Sequence, residues 1–295
     1  MTTASRATIE LGDGTVVSAL EWTPAEPTGL PVLLLHGGGV DSASLSWGGL
    51  GPALADAGHR VVAPDHPGFG QSPLAAWNAT QERLVDYVGE LAERLELGEH
   101  VVGGLSLGGG LTAGHALRRP DGLRGIMLFG SYGIMPRLTD GAFSLPTQMF
   151  TWAMLRTGIL GALTVRLAHD PKQLERSMRT IVRTPGALTP ELMREVEAEV
   201  ERGAGFEVFA QWQRDQVLWN RLRTDYADAL AGLELPALIV HGTRDSGVPI
   251  ARARSLAERM PDARLLAVDG AGHWVQRDRP ELVAPAVVDF LAAVR

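Results

Sequence analysis

Apolar and polar residues along this chain change rhythm more than once. ATIEL and VVSALEW alternate around Gly12-Asp13-Gly14, which predicts an antiparallel hairpin closed by a glycine-containing turn. From Pro31 onward short unbroken apolar runs take over. PVLLLHGGG, RVVAPDHPGFG, HVVGGLS and LRGIMLFGS each read as a strand buried on both faces. Between them LGPALADAG, QERLVDYVGELAERLEL and GGGLTAGHALRR place apolar residues at helical spacing. Strands alternating with helices in this way predict an α/β fold, a parallel sheet with helices on its faces.

Between about Tyr132 and Asp228 the strand rhythm stops. LTPELMREVEAEVE and FEVFAQWQRDQVLW carry helical periods, and no buried strand is evident. The sheet pattern resumes at PALIVHGTRD and ARLLAVDGAGHW, and PELVAPAVVDFLAAV closes the chain as an amphipathic helix with Pro280 at its start. The expected organisation is a core domain of residues 1–133 and 226–295, interrupted by a helical insertion over residues 134–225. The most apolar window, Met149 to Val165, is broken by Arg156 and is too short for a membrane span. It reads as a buried helix or as the surface of a lid.

Composition narrows the function classes. A chain of 295 residues, 45% hydrophobic and 21% charged, can bury a large core. Its formal net charge of -7 and the lack of any basic run argue against nucleic acid and acidic membranes as partners, leaving a small-molecule substrate. The absence of cysteine excludes disulfides, thiolate nucleophiles and Cys-ligated metal sites. No cluster of metal-ligating residues stands out, so neither metal nor cofactor is expected. The opening MTTASRATIELGDG lacks a basic segment followed by an apolar run, so no signal peptide is expected and a cytoplasmic location is. The oligomeric state is left open, a homo-oligomer included.

The chemistry begins at Gly104-Leu105-Ser106-Leu107-Gly108, a G-x-S-x-G between a predicted strand and a predicted helix. A turn this tight forces strained dihedrals on the serine, and small residues two before and two after it keep strand and helix from colliding. The spacing matches neither G-x-G-x-x-G nor a GK[ST] loop, so phosphate binding is disfavoured. A serine hydroxyl needs a base, and the base needs an orienting group. His273 in DGAGHW and Asp245 in HGTRDSGVP follow the last two predicted strands, and the order Ser106, Asp245, His273 is the one a hydrolase elbow requires. None of the other seven histidines combines a strand end with that order: His36 and His241 precede glycines, His66 sits in a turn, His59 and His100 lead into strands, and His115 and His169 fall in helical stretches. Asp269 and Asp278 lie so near His273 in sequence that they are read as loop-fixing groups. Backbone N–H donors for a developing oxyanion are offered by Leu35-His36-Gly37-Gly38-Gly39 and by Leu107 at the start of the helix behind the serine.

Taken together, LLLHGGG, DHPGFGQS (Asp65 to Ser72), GLSLGG, VHGTRD and GAGHW resemble the α/β-hydrolase superfamily from about Pro31 to the C-terminus. The resemblance implies an eight-stranded, mostly parallel sheet and makes the helical insertion a cap over the active site. It also implies Ser106 as nucleophile, His273 as base, Asp245 as orienting acid, and Gly38 with Leu107 as oxyanion donors, Gly37 and Gly39 remaining alternatives to Gly38. Relatives that attack with aspartate, the epoxide hydrolases and haloalkane dehalogenases, are set aside by Ser106. The expected activity is hydrolysis of a small, largely apolar carboxylic ester through an acyl-enzyme. The alternatives are a carbon-carbon bond hydrolase of ring-fission diketones and a non-catalytic binding protein on the same scaffold. Those carbon-carbon hydrolases are similar at HGGG and at His273-Trp274-Val275-Gln276, but usually carry asparagine where this chain has Leu105. Of the insertion's Phe143, Met149, Phe150, Trp152, Met154, Phe206, Phe209, Trp212 and Trp219, two or three are expected to face substrate and the rest to form the cap's own core. Arg183, Arg214 and Arg221 are read as solvated.

Overall fold

Strands β1 (Ser5–Glu10) and β2 (Val16–Trp22) pair antiparallel around a turn in which Leu11 and Thr15 share a backbone hydrogen bond and Gly14 takes a φ of 82°. This is the hairpin that the alternation predicts. The computed structural model describes residues 2–294, so positions 1 and 295 of the expected core lie outside the described residues. Six further strands follow: β3 (Val32–Leu35), β4 (Val61–Pro64), β5 (His100–Leu105), β6 (Leu123–Phe129), β7 (Ala237–Gly242) and β8 (Ala263–Val268). All eight form one sheet in the order β1-β2-β4-β3-β5-β6-β7-β8, with β2 antiparallel to both its neighbours, β1 and β4, and every other pair parallel.

The central strands are apolar without a break because both their faces are covered. Leu33, Leu35, Val102, Ile126 and Leu128 point into one buried cluster, packed under the helices Gln81–Arg94, Leu107–Arg118 and Ile250–Arg259. Their neighbours Val32, Leu34, Val101, Met127 and Phe129 point into the other, under Leu50–Asp56 and Pro280–Ala293. Because β3 is followed by β4 on one side while β5 leads away to β6, β7 and β8 on the other, the winding reverses between β3 and β5. In open α/β sheets ligands bind outside the carboxyl ends of the strands at such a point.

Between β6 and β7 the chain forms the helices Ser144–Arg156, Ile159–Ala168, Pro171–Ile181, Pro190–Arg202 and Ala204–Gln216. The apolar window from Met149 to Val165 is split at Gly158, whose φ of 74° ends one helix and starts the next. Helix Ile159–Ala168 buries none of its residues, and Ile159 is 52% exposed, so this part of the window is surface. Helix Pro171–Ile181, not picked out from sequence, is started by Asp170, whose carboxylate accepts from the backbone of Lys172 and Gln173, and by Pro171 in its first turn. The cap-core expectation for the aromatic residues needs correcting: Phe143 is 80% exposed, and Met149, Phe150 and Trp219 are also exposed. Among the described residues no helix is long and apolar enough to cross a membrane.

Candidate active site

Ser106 stands between β5 and helix Leu107–Arg118 with φ 52° and ψ -114°, one of two non-glycine residues at positive φ among those described. Such a conformation is strained for an L-residue and persists only where the surroundings impose it. The surroundings here are backbone. A Cβ on Gly108 would fall 2.2 Å from the carbonyl oxygen of Leu35 and 2.5 Å from that of His36, and one on Gly104 would fall 2.1 Å from the Gly108 oxygen. Strand and helix therefore approach more closely than any side chain allows. We expect Gly108→Ala to lower stability by about 2–3 kcal/mol, since carbonyls fixed in β3 cannot retreat as a flexible side chain would. A denaturant midpoint equal to that of the parent would contradict this account.

His273 and Asp245 meet at the carboxyl ends of β8 and β7. His273 Nδ1 lies 2.8 Å from Asp245 Oδ2 and 2.9 Å from Oδ1, with the aspartate side chain fully buried. A carboxylate only accepts, so Nδ1 carries the proton and the lone pair of neutral His273 is on Nε2. Asp245 Oδ1 also accepts from the backbone N–H of Gly247 at 2.6 Å and Val248 at 3.0 Å. Burial pushes this carboxyl up, but His273, His241 and the Val248 N–H outweigh it and hold Asp245 below its ordinary value. The rival acids lie elsewhere. Asp269 is exposed and accepts from Thr243 Oγ1, whereas buried Asp278 accepts from the backbone of Gly272, Arg183 and Thr184 and so ties down the loop before His273.

The glycine loop after β3 is held from several sides. His36 Nδ1–H donates to the Gly37 carbonyl at 2.7 Å, and His36 Nε2 accepts from the His66 N–H at 2.9 Å, which fixes the neutral tautomer. Burial lowers His36 to about 3. His66 is likewise fully used, donating from Nε2 to the His36 carbonyl and accepting the Tyr87 hydroxyl at Nδ1. On the other side, the Gly37 N–H donates to Asp41 Oδ2 at 2.7 Å. Gly37 is thereby removed as an oxyanion donor, and Gly38 and Gly39 remain. Asp41 itself is buried, which raises its carboxyl to about 7 despite bonds from Ser46, Ser42 and Gly37.

These segments border one cavity of about 340 Å³, within the range of small-molecule sites. From the sheet side come the Gly37–Asp41 loop, Ser106, His273 and Trp274. From the helices between β6 and β7 come Thr164, Leu167, Leu174, Met178, Ile181, Phe206 and Phe209. Among the described residues no hydrogen bond joins Ser106 Oγ to His273, and both residues border the cavity. Of the aromatic residues singled out in the insertion, Phe206 and Phe209 line the cavity, and Trp212 stacks on Phe209 behind them. Arg183, Arg214 and Arg221 do not line it. Sequence reasoning missed Asp41, for which the only signal was its place four residues after Gly37, and His241, which packs 3.4 Å from Asp245 while bonding the Val248 carbonyl.

Comparison with known proteins agrees with this architecture. The alpha/beta hydrolase fold family matches residues 31–280, and the chain belongs to that family. It is 30% identical to a 2-hydroxymuconate semialdehyde hydrolase of Pseudomonas putida, over 90% of this chain and 88% of that protein. It is also 30% identical to a pimeloyl-[acyl-carrier protein] methyl ester esterase of Aromatoleum aromaticum, over 88% of this chain and 97% of that one. Among solved structures, a meta-cleavage product hydrolase of Pseudomonas fluorescens superposes with a TM-score of 0.78 at 24% identity, covering 98% of both chains.

Proposed function

We propose that this α/β-hydrolase uses Ser106 to cleave the carbon-carbon bond beside a ketone in a ring-fission diketone. The observation that carries the serine mechanism is the placement of Ser106, His273 and the Gly37–Gly39 loop on one apolar cavity, with His273 held by buried Asp245. The choice of bond is supported by the relatives: the Pseudomonas putida protein and another of similar identity are named 2-hydroxymuconate semialdehyde hydrolase and a third 2-hydroxy-6-oxo-2,4-heptadienoate hydrolase, names that favour this reading over the ester cleavage expected from sequence. In the proposed reaction Ser106 Oγ adds to the carbonyl as His273 Nε2 takes its proton. The oxyanion is met by the N–H groups of Gly38 and Leu107. The carbon-carbon bond then breaks, the departing enolate takes the proton from His273, and water, activated by the same imidazole, releases the acid from the acyl-enzyme. The helices bearing Phe206 and Phe209 act in this scheme as the cap that shapes the substrate's apolar portion.

Ester hydrolysis is the second reading, and two features favour it. Leu105 stands where asparagine is usual in the carbon-carbon hydrolases, and the ionisable groups on the cavity wall are Asp41 and His273, with no arginine or lysine among the described lining residues to hold a substrate carboxylate. The same nucleophile serves both reactions, the leaving group being an alkoxide or an enolate. Measuring kcat/KM for a ring-fission diketone against aryl and alkyl esters of graded length separates them. We expect the diketone to lead by at least about tenfold, a margin that contacts to a single reacting group can supply. A reversed order would make the chain an esterase.

A further inference from the structure

We infer that Asp41 is a positioning residue for oxyanion stabilisation, holding Gly37 by its N–H so that the next peptide unit directs the Gly38 N–H into the cavity beside that of Leu107. The inference rests on the serine mechanism proposed above and adds to it a side chain outside the Ser-His-Asp set. It starts from the geometry around Gly37. Both polar groups of this residue are consumed by buried side chains, its N–H by Asp41 Oδ2 at 2.7 Å and its carbonyl by His36 Nδ1 at 2.7 Å. These contacts lie on consecutive peptide units: Asp41 and His66 Nε2 hold the 36–37 unit at its N–H and its carbonyl, and His36 Nδ1 holds the 37–38 unit at its carbonyl, so the orientation of the Gly38 N–H in that second unit follows from them.

Asp41 is in turn anchored by more than it holds. Ser46 Oγ lies 2.9 and 2.8 Å from its two oxygens, and the Ser42 N–H donates to Oδ1 at 2.8 Å. Ser42 caps the short helix Ala43–Trp47 that carries Ser46, so the clamp is built on a rigid element rather than on the loop itself. The loop has no slack beside it. A Cβ on Gly37 would lie 2.8 Å from Asp41 Oδ2 and 3.5 Å from Ser106 Cβ, and one on Gly38 would lie 2.3 Å from the Phe209 ring and 3.3 Å from Leu107 Cδ1. Gly37 thus abuts the nucleophile, Gly38 abuts the residue behind it, and Asp41 is the group that sets their spacing. Preorganised donors stabilise charge in the transition state only when they are already aimed, which is what a buried carboxylate held by three donors achieves.

The test compares two ligands of the same shape. An aryl trifluoromethyl ketone accepts Ser106 Oγ at its carbonyl carbon, the Oγ proton passing to His273, and becomes a hemiketal oxyanion. The corresponding carbinol occupies the cavity but forms no adduct. In Asp41→Ala we expect kcat to fall about 10²-fold and the ketone Kd to rise by a similar factor, the usual effect of losing one oxyanion donor. The carbinol Kd and KM should stay within about threefold, since the apolar contacts from Leu174, Met178, Phe206 and Phe209 are unchanged. Asp41→Asn retains one acceptor for the Gly37 N–H and should recover at least about tenfold of that loss, while Ser46→Ala should show a smaller loss of the same kind. If ketone and carbinol weaken together, or if the thermal midpoint falls while ketone affinity holds, Asp41 is merely structural and the inference is wrong. Should Asp41→Ala fail to fold, unchanged ketone affinity in both Asp41→Asn and Ser46→Ala overturns it equally. A Ser106→Ala protein that still preferred ketone over carbinol would sink the serine mechanism itself, whatever Asp41 does.

Discussion

Ser106→Ala is expected to reduce kcat on the order of 10⁴- to 10⁶-fold while leaving the fold and KM nearly unchanged. In the proposed mechanism the hydroxyl is the atom that forms the covalent bond, and the chain has no cysteine to take its place. Stability should survive because Ser106 Oγ makes no hydrogen bond among the described residues and its strained φ of 52° is imposed by the backbone packing of Gly104 and Gly108, which alanine leaves in place. Residual turnover would come from the oxyanion donors and from substrate positioning. The measurements are steady-state kinetics on the best substrate, labelling by a fluorophosphonate probe and a thermal melt. Activity within tenfold of the parent, or undiminished labelling, would place the nucleophile elsewhere.

How much of this was legible in the sequence follows from how local each signal is. The elbow was readable because G-x-S-x-G encodes a collision between β5 and the following helix, and the observed Cβ distances at Gly104 and Gly108 are that collision. The central strands were readable because burial on both faces leaves unbroken apolar runs. The helical insertion is legible as helix, but its exposed positions are not: composition gives most of its aromatic and methionine residues to a cap core, whereas Phe143, Met149, Phe150 and Trp219 are exposed, and a local pattern does not tell which face of a helix finds a partner. The register of the oxyanion loop was not legible either. A glycine triplet has no side chains to differ by, and what singles out Gly37 is a hydrogen bond from its N–H to a carboxylate four residues on.

Asp245→Asn should lower kcat about 10⁴-fold with the protein folded, far beyond the effect of Asp269→Asn or Asp278→Asn. The reason lies in how many donors the carboxylate serves. Oδ1 accepts from the backbone N–H groups of Gly247 and Val248, and Oδ2 lies 2.8 Å from His273 Nδ1. An asparagine has one oxygen, and the two backbone donors will claim it because they cannot turn away. Its NH₂ then faces His273 Nδ1 and donates to it, which moves the imidazole proton to Nε2, where a lone pair is needed to receive the proton of Ser106. Asp278 makes the instructive contrast. It accepts from the N–H groups of Gly272, Arg183 and Thr184, so its amide variant leaves backbone donors unpaired and should cost about 1–3 kcal/mol of stability. It should nevertheless keep kcat per folded molecule within about tenfold, because it never touches the imidazole, an effect on structure and not on transition-state stabilisation. Asp269, exposed and bonded to Thr243 Oγ1, should show the least of either. Kinetics normalised to folded protein, alongside chemical denaturation of all three variants, decide among these roles. If Asp278→Asn or Asp269→Asn proved as slow as Asp245→Asn while fully folded, the buried carboxylate at the end of β7 would not be the group that orients His273.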